Sequence, residues 1–568
     1  MSRKTSLIVK ITIFFITFLG FLLRIVNLNH NPSRLTHDEM SIGYNAYSIL
    51  KTGADEWGRK LPLDFEAFGD HKLPGAIYAA IPFISLFGLG NLGLKLVSIL
   101  AGTILVYLVY LIVELILKDK KLALVAAFLI ATSPWTIHFS RMMLESNLAL
   151  TLFTAGLFFQ LKAWKNRKGL YFILSGLLFG LTFYFYIAYR MISLLIFISL
   201  LAYGFVYQKN KKCKNTRLGL ISFLLIIFPL FSQLFSQGGT ARFNQVSFLT
   251  DPGLESKVQE MHNYCFMNLA QTSPLLATVC RKVLNKPFFL LKNFASNYLL
   301  LIFPTFLFVT GDPLLYLRNP DFGQFFIILA PLYLFGLIRL TKINKRIRNL
   351  VLLLLFIAPI PSALTGEPQT VRASGMIIPI VLILTLGWQQ LLLWLKSIKK
   401  ERLVYLFTVV YVGWLTVFLA NDHLLYAHQS AQYFYELPFS ALDKTEELKN
   451  NFDFVYIDDE FPDAHIALAF HTKIDPSYYQ TNIIRPNPDE VGFSHPTHLG
   501  KYQFGDKLLS TFLCQDEEKV LFVTRNYQDL EPTYEFKDFS QVHTHTQLFD
   551  LPQIKEKLSE KKLEKICQ

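Results

Sequence analysis

The stretch from 92 to 137 reads LGLKLVSILAGTILVYLVYLIVELIL over 92–117, KDKK over 118–121 and LALVAAFLIATSPWTI over 122–137. A helix rises about 1.5 Å per residue, so the first run is long enough to cross a hydrocarbon layer of roughly 30 Å. A short basic loop then separates it from a second apolar run, which is the pattern of a chain that crosses a bilayer repeatedly. The pattern recurs from Leu7 to Ala420. Of 568 residues, 52% are hydrophobic, 15% aromatic and only 17% charged, against about a quarter charged in a soluble domain. A soluble globular fold is excluded. The net charge of +13 would point to nucleic acid in a soluble protein. Here the Lys and Arg residues sit in clusters between apolar runs, so they encode topology and no nucleic-acid partner is expected.

Eleven apolar stretches read as spans: 7–25, 92–117, 122–137, 148–161, 171–187, 192–206, 218–235, 325–338, 350–363, 377–395 and 403–419. With the N-terminus inside, alternation puts the basic clusters 118–121, 162–168, 209–217, 342–348 and 396–402 all on the cytoplasmic side. Two further apolar runs, 76–89 and 288–308, are expected at the outer membrane surface, the second alternatively as a re-entrant pair of half helices. The first is short and contains Pro82; the second contains Lys292, Asn293, Asn297 and Pro304. Counting either alone as a span would move several basic loops outside. The run 7–25 is too long for a signal-peptide core and lacks a small-residue cleavage site, so it is expected to remain as the first span. No internal repeat is evident, which counts against a secondary transporter.

The expected fold is therefore an α-helical polytopic membrane protein of about eleven transmembrane helices, residues 1–421, with outer loops 27–74, 139–147 and 236–324. From 422 to 568 the apolar runs give way to charge. Strand-like stretches at 452–457, 519–524 and 542–549 and a helical pattern at 442–450 predict a small extracytoplasmic α/β domain. The five cysteines fit this division. Cys265 and Cys280 share the long outer loop, Cys514 and Cys567 share the C-terminal domain, and Cys213 stands alone inside, so two disulfides or four free thiols are both compatible with the spacing.

Ionisable residues outside the basic loops collect at the outer ends of the spans. In the first loop Thr36 and Glu39 have the spacing of a capping box and Gly53 reads as the helix stop, which leaves Asp38 in the first turn free to face a site. Further on come Asp70, His71, Lys72, Leu73 and Pro74, with Lys72 suited to a phosphate. The second outer loop offers Arg141 and Glu145, four apart and able to pair on a helix. Arg190 and Arg372 lie at the outer rims of later spans, where an ordinary interfacial anchor is the alternative; Arg242 and His262 in the long loop are weaker candidates. Walker, zinc-protease, Gly-x-Ser-x-Gly and Rossmann patterns are absent. A nucleotide donor would not be available on the outer face, so an activated donor must come from the membrane.

Asp-Glu just after the first span, a Lys-Pro type cluster before a surface helix and Ser-Arg-x-x-x-Glu in the second loop resemble the GT-C glycosyltransferase superfamily. The likeness runs over roughly residues 1–420 and is greatest to bacterial relatives of the protein O-mannosyltransferases and the lipid A aminoarabinose transferases. The resemblance implies a GT-C-like fold and transfer of a sugar from a polyprenyl-phosphate carrier, with inversion, to a protein, lipid or glycan acceptor on the outer face. It implies Asp38 as the loop-one catalytic carboxylate, Lys72 as a ligand of the donor phosphate and Glu145 as the second-loop acid. Where relatives often have Glu-Lys-Pro, this chain has His71, Lys72, Leu73 and Pro74. A divalent metal, bound at that position in some relatives, would have His71 and Asp70 as candidate ligands; no cofactor is required. A polyprenyl phosphate is already a good leaving group, so the site must supply a base for the acceptor hydroxyl and cations for the departing phosphate. Asp38 is the expected base, and Lys72, Arg190 and Arg372 the expected phosphate ligands. Glu39 and Glu145 are counted with Asp38 as candidate catalytic acids, and Arg141 is expected to bind the phosphate or, with Glu145, to position the acceptor or Asp38. The rival functions are a lipid-linked sugar flippase or transporter and a polysaccharide polymerase.

Overall fold

The computed structural model describes residues 3–32, 35–68, 70–207, 214–230, 253–268, 273–430, 438–461, 463–487, 494–514, 518–525, 527–537, 545–559, 563 and 566–567. Each of the eleven expected spans falls wholly or largely on helix among these residues. Among the described residues six helices are long and apolar enough to cross a membrane, as in a multi-pass membrane protein: Leu7–Ile25, Asn91–Leu117, Ile187–Gly204, Lys345–Ala363, Thr370–Ser397 and Leu403–Leu424. A seventh is added if the pair Lys120–Thr132 and Pro134–Arg141, bent by 51°, is one span. Gly169–Tyr184 and Asn215–Leu230 are apolar but shorter. The expected span 122–137 thus breaks at Ser133, whose backbone is extended, because Pro134 disfavours a helical residue before it and has no N–H to continue the ladder.

The chain folds into two compact units. One comprises Met1–Arg24, Leu100–Ser140 and Leu144–Phe418; the other comprises Ile25–Ile99, Arg141–Met143 and Leu419–Gln568. The C-terminal part separates from the helical unit at 418/419, close to the division expected at 421/422. The first outer loop groups with the C-terminal region.

In the helical unit, backbones approach where side chains vanish. A Cβ on Gly387 would lie 1.8 Å from the Leu332 carbonyl oxygen and one on Gly336 2.0 Å from that of Ile383, so only glycine lets helices Ala330–Lys342 and Ile377–Ser397 pack this closely. Arg24 explains how the break at Pro134 is tolerated. It is fully buried and donates to the carbonyls of Gly20, Ile130 and Ala131 at 2.7, 3.2 and 3.1 Å, and to Ser140 Oγ and Thr136 Oγ1 at 3.1 Å each. Carbonyls left free by a broken helix need such a donor where no water reaches them. Cys265 and Cys280 are joined, with Cα atoms 5.9 Å apart.

The other unit contains a hairpin, β1 Phe65–Ala67 and β2 Asp70–Lys72, and a seven-stranded sheet. The sheet strands are β3 Phe454–Asp458, β4 Ile483–Ile484, β5 His498–Leu499, β6 Tyr502–Gly505, β7 Val520–Arg525, β8 Tyr534–Lys537 and β9 His545–Asp550, in the order β4-β5-β6-β3-β7-β9-β8. The central strand β3 runs parallel to β6 and β7; the outer pairs are antiparallel. This is the α/β region expected from the sequence. Phe454, Tyr456, Phe512, Phe522 and Phe549 form much of its core on one side, and Cys514 is bonded to Cys567.

The first loop is bound into this region by specific contacts. Helix His37–Thr52 faces helix Ala464–Thr472, and a Cβ on Gly43 would meet the Phe470 ring at 2.6 Å. Tyr44 donates its hydroxyl to the Ile474 carbonyl at 3.1 Å, and Gln480 Nε2 reaches the Asp55 carbonyl at 2.8 Å. The Arg485 guanidinium lies 3.9 Å from the centroid of the Trp57 ring. Glu56 is 2% exposed in this joint, with the Tyr479 hydroxyl 3.5 Å from its carboxylate, and burial pushes its carboxyl up to about 7.

Candidate functional site

Helix His37–Thr52 begins with the expected capping box. The Thr36 hydroxyl accepts from Glu39 N at 3.2 Å and the Glu39 carboxylate accepts from Thr36 N at 3.1 Å. Gly53, at φ 72°, ends the helix, a left-handed conformation that glycine adopts without a steric penalty. Adjacent helical residues point about 100° apart, and the two first-turn acids differ accordingly. Glu39 is 1% exposed. It also accepts from Met143 N at 2.7 Å and faces Lys95 Nζ at 3.9 Å. The Asp38 side chain is 59% exposed, although it is ion-paired to Lys72.

Lys72 comes from the end of β2 and is 2% exposed. Its ammonium is in contact with the Asp38 carboxylate and lies 5.3 Å from the centroid of the Phe68 ring. The hairpin register pairs Phe65 with Lys72 and Glu66 with His71. Successive strand residues point to opposite faces, and His71 pairs with Asp64, Nδ1 to Oδ2, at 2.6 Å. The Asp70 side chain lies outside the described residues, as does Arg242. Among the described residues no group of three His, Cys, Asp or Glu is placed to hold a metal. His71 and Asp64 are two potential metal donors among the described residues, and no step is routed through a metal.

Phe68 was not a candidate from the sequence. Its φ is +59°, which is uncommon for a bulky side chain, and its ring stands 5.4 Å from that of His37 and 5.8 Å from that of His465. His465, from the C-terminal region, is 5% exposed, and burial lowers its imidazole to about 4. The exposed carboxylate thus has the Lys72 ammonium and, at 3.9 Å, the His37 imidazole beside it, and the Phe68 ring links this pair to His465.

Arg141 is the residue expected to bind the phosphate or to position the acceptor or Asp38. It is 1% exposed and donates to the carbonyls of Val26, Asn27 and Asn31 at 2.8, 3.4 and 2.7 Å. The guanidinium is directed at backbone instead of outward, because the chain leaving the first span presents carbonyls that need donors. Asn31 in turn donates to the Asp422 carboxylate at 2.6 Å. His262, the weaker candidate, is engaged with the Leu284 carbonyl.

Glu145, Arg190 and Arg372 belong to the helical unit. Glu145 opens helix Glu145–Asn166, where the N-terminal end of the helix dipole favours a carboxylate. Arg190 is half-buried, with Nε donating to the Phe183 carbonyl at 3.1 Å. Arg372 is half-buried in the short helix Thr370–Ala373. The elements that carry these two arginines are joined by a hydrogen bond of 3.1 Å between Tyr189 and Ser374. Asp312 fixes the segment leading to Arg372. Fully buried, it accepts from both the amide and the hydroxyl of Thr370 at 2.5 Å, and burial raises its carboxyl above the ordinary range. Ser362 accepts from Gln369 N and donates to its carbonyl, both at 2.9 Å.

Comparison with known proteins bears on this geometry. Residues 71–235 match the family model described as dolichyl-phosphate-mannose-protein mannosyltransferase, which bears out the resemblance to GT-C glycosyltransferases read from the sequence. No curated protein matches the chain by sequence. Among solved structures, the apo oligosaccharyltransferase of Archaeoglobus fulgidus is 16% identical with a TM-score of 0.50, over 85% of this chain and 60% of that one. The chain therefore spans less than two thirds of that protein's length. The Archaeoglobus fulgidus AglB in complex with an inhibitory peptide and a dolichol-phosphate is 15% identical, at TM-score 0.49, over 83% and 64% of the two chains. ArnT from Cupriavidus metallidurans bound to undecaprenyl phosphate is 12% identical, at TM-score 0.45, over 96% and 98%.

Proposed function

We propose that the protein is a membrane glycosyltransferase that moves a sugar from a polyprenyl-phosphate carrier to a protein, lipid or glycan acceptor on the outer face of the membrane, with inversion. The observation that carries this reading is the Asp38–Lys72 pair: a solvent-exposed carboxylate set beside a buried ammonium by two separate elements of the first loop. A carboxylate so placed is a base for an acceptor hydroxyl, and an ammonium beside it is a partner for a departing phosphate. The family description supports the donor class, since dolichyl-phosphate-mannose is itself a sugar on a polyprenyl phosphate.

In this reading Asp38 takes the acceptor proton while the sugar–phosphate bond breaks, and polyprenyl phosphate leaves as an anion. Lys72, Arg190 and Arg372 are phosphate ligands. Glu145 positions the acceptor, whereas Glu39 and Arg141 hold the backbone that carries Asp38. A flippase would need charges free along a path through the spans. Arg24 and Lys95 do stand within spans, but Arg24 is spent on carbonyls and hydroxyls, and Lys95 faces Glu39.

The test is turnover of a polyprenyl-phosphate sugar by detergent-purified protein with envelope extract as acceptor. Lys72→Ala, Arg190→Ala and Arg372→Ala should each lower it by roughly ten- to a hundredfold, the effect of losing one charge-assisted contact. Undiminished turnover in all three variants would remove the cations from the mechanism.

A further inference from the structure

The helical unit contains a cavity of about 800 Å³ at the helix ends whose basic clusters are expected on the cytoplasmic side. Lys118, Lys165, Arg167 and Arg346 line its mouth, and no carboxylate is among its lining residues. None of the four cations makes an ion pair or side-chain hydrogen bond among the described residues. Deeper in, the walls are aliphatic and aromatic, with Trp164 and Tyr203 rings 5.5 Å apart. The Trp164 indole Nε1 is buried and has no hydrogen-bond partner among the described residues.

The basic-loop rule accounts for positive charge on this side, and helix C-termini attract the cations that follow them, as Lys118 and Arg167 do. Neither explains the whole arrangement. Arg346 stands in the first turn of helix Lys345–Ile357, a turn without an acid, where the helix dipole opposes a cation and favours an anion. A mouth of cations without partners among the described residues, a helix N-terminus and a greasy interior together describe a ligand with an anionic head and apolar tails.

We propose that this cavity binds an anionic phospholipid, with its phosphodiester among Lys165, Arg167 and Arg346 and its acyl chains along the apolar wall. Its lining residues include neither Asp38 nor Lys72, and it does not depend on the proposed transfer activity. No covalent step is involved. Each basic residue near such a headgroup contributes roughly fivefold in affinity, so removing three should cost on the order of a hundredfold.

The experiment is native mass spectrometry of the full chain in non-ionic detergent, titrated separately with phosphatidylglycerol, phosphatidylcholine and inorganic phosphate. Phosphatidylglycerol should be retained in preference to phosphatidylcholine, and millimolar phosphate should not displace it. The triple variant Lys165→Gln/Arg167→Gln/Arg346→Gln should lose about a hundredfold in phosphatidylglycerol affinity. Ser199→Phe, which keeps every cation but fills the cavity, should weaken binding as well and serves if the triple variant fails to fold. Equal retention of phosphatidylcholine, an unaffected Ser199→Phe variant, or full displacement by phosphate would each overturn the proposal. The last outcome would leave an anion site without a lipid.

Discussion

Asp38 and Glu39 are neighbours in sequence and opposite in environment, and the residue scale turns on that difference. The capping spacing of Thr36 and Glu39 was legible, because it needs only local chain geometry. The partner that makes Glu39 tolerable inside was not, since Lys95 sits in an apolar run where the eye reads hydrophobicity. A lysine within such a run still requires a counter-charge, and that rule, applied to Lys95, was the available signal. The pair at 3.9 Å is fully buried on the lysine side and 1% exposed on the other. Breaking it from either end strands a charge, so Glu39→Gln and Lys95→Met should each destabilise the protein by about 3 kcal/mol. The double variant should recover most of that loss, because both charges are gone and Gln still accepts from Met143 N. Melting of the three variants in detergent checks this, and simple additivity of the two losses would mean that the residues are not coupled.

At the scale of elements, the sequence located helices and strands well and their faces poorly. His71 and Lys72 read as one polar cluster, yet strand alternation sends them to different partners, Asp64 and Asp38. Only the hairpin register decides which of them meets the helix. The break at Pro134 was visible as a proline in an apolar run; that Arg24 would occupy the freed carbonyls was not, because the partners are more than a hundred residues apart. The joint between the first loop and the C-terminal sheet is likewise non-local, and it carries a pH signature. Burial raises Glu56 from its usual 4.5 to about 7, so the folded state holds a proton that the unfolded chain has released. The stabilisation is fully present below about 4.5 and is lost as pH rises through about 7, an effect on the order of 3 kcal/mol. The melting temperature of the wild type should therefore fall relative to Glu56→Gln between pH 5 and 8. Parallel pH profiles for the two proteins would contradict the assignment.

For the whole molecule, the charge clusters predict an alternating topology, while the grouping of the first loop with the C-terminal region was hidden because long-range contacts leave no periodicity in sequence. Reporters fused at Lys165, Lys211, Lys345 and Lys399 should report cytoplasm, and those at Asp55, Asn263 and Asp458 the outside. A single reporter on the wrong side would break the alternation that puts Asp38 on the outer face. The central claim is that Asp38 is the base of a lipid-linked sugar transfer. Its most direct test is release of polyprenyl phosphate from a polyprenyl-phosphate sugar by detergent-purified protein, wild type against Asp38→Asn, with envelope extract as acceptor. A general base contributes roughly a hundred- to ten-thousandfold, so the wild type should turn over and Asp38→Asn should lose at least a hundredfold while still binding the lipid donor. Full turnover by Asp38→Asn, or none by the wild type with any polyprenyl-linked donor, would contradict the account.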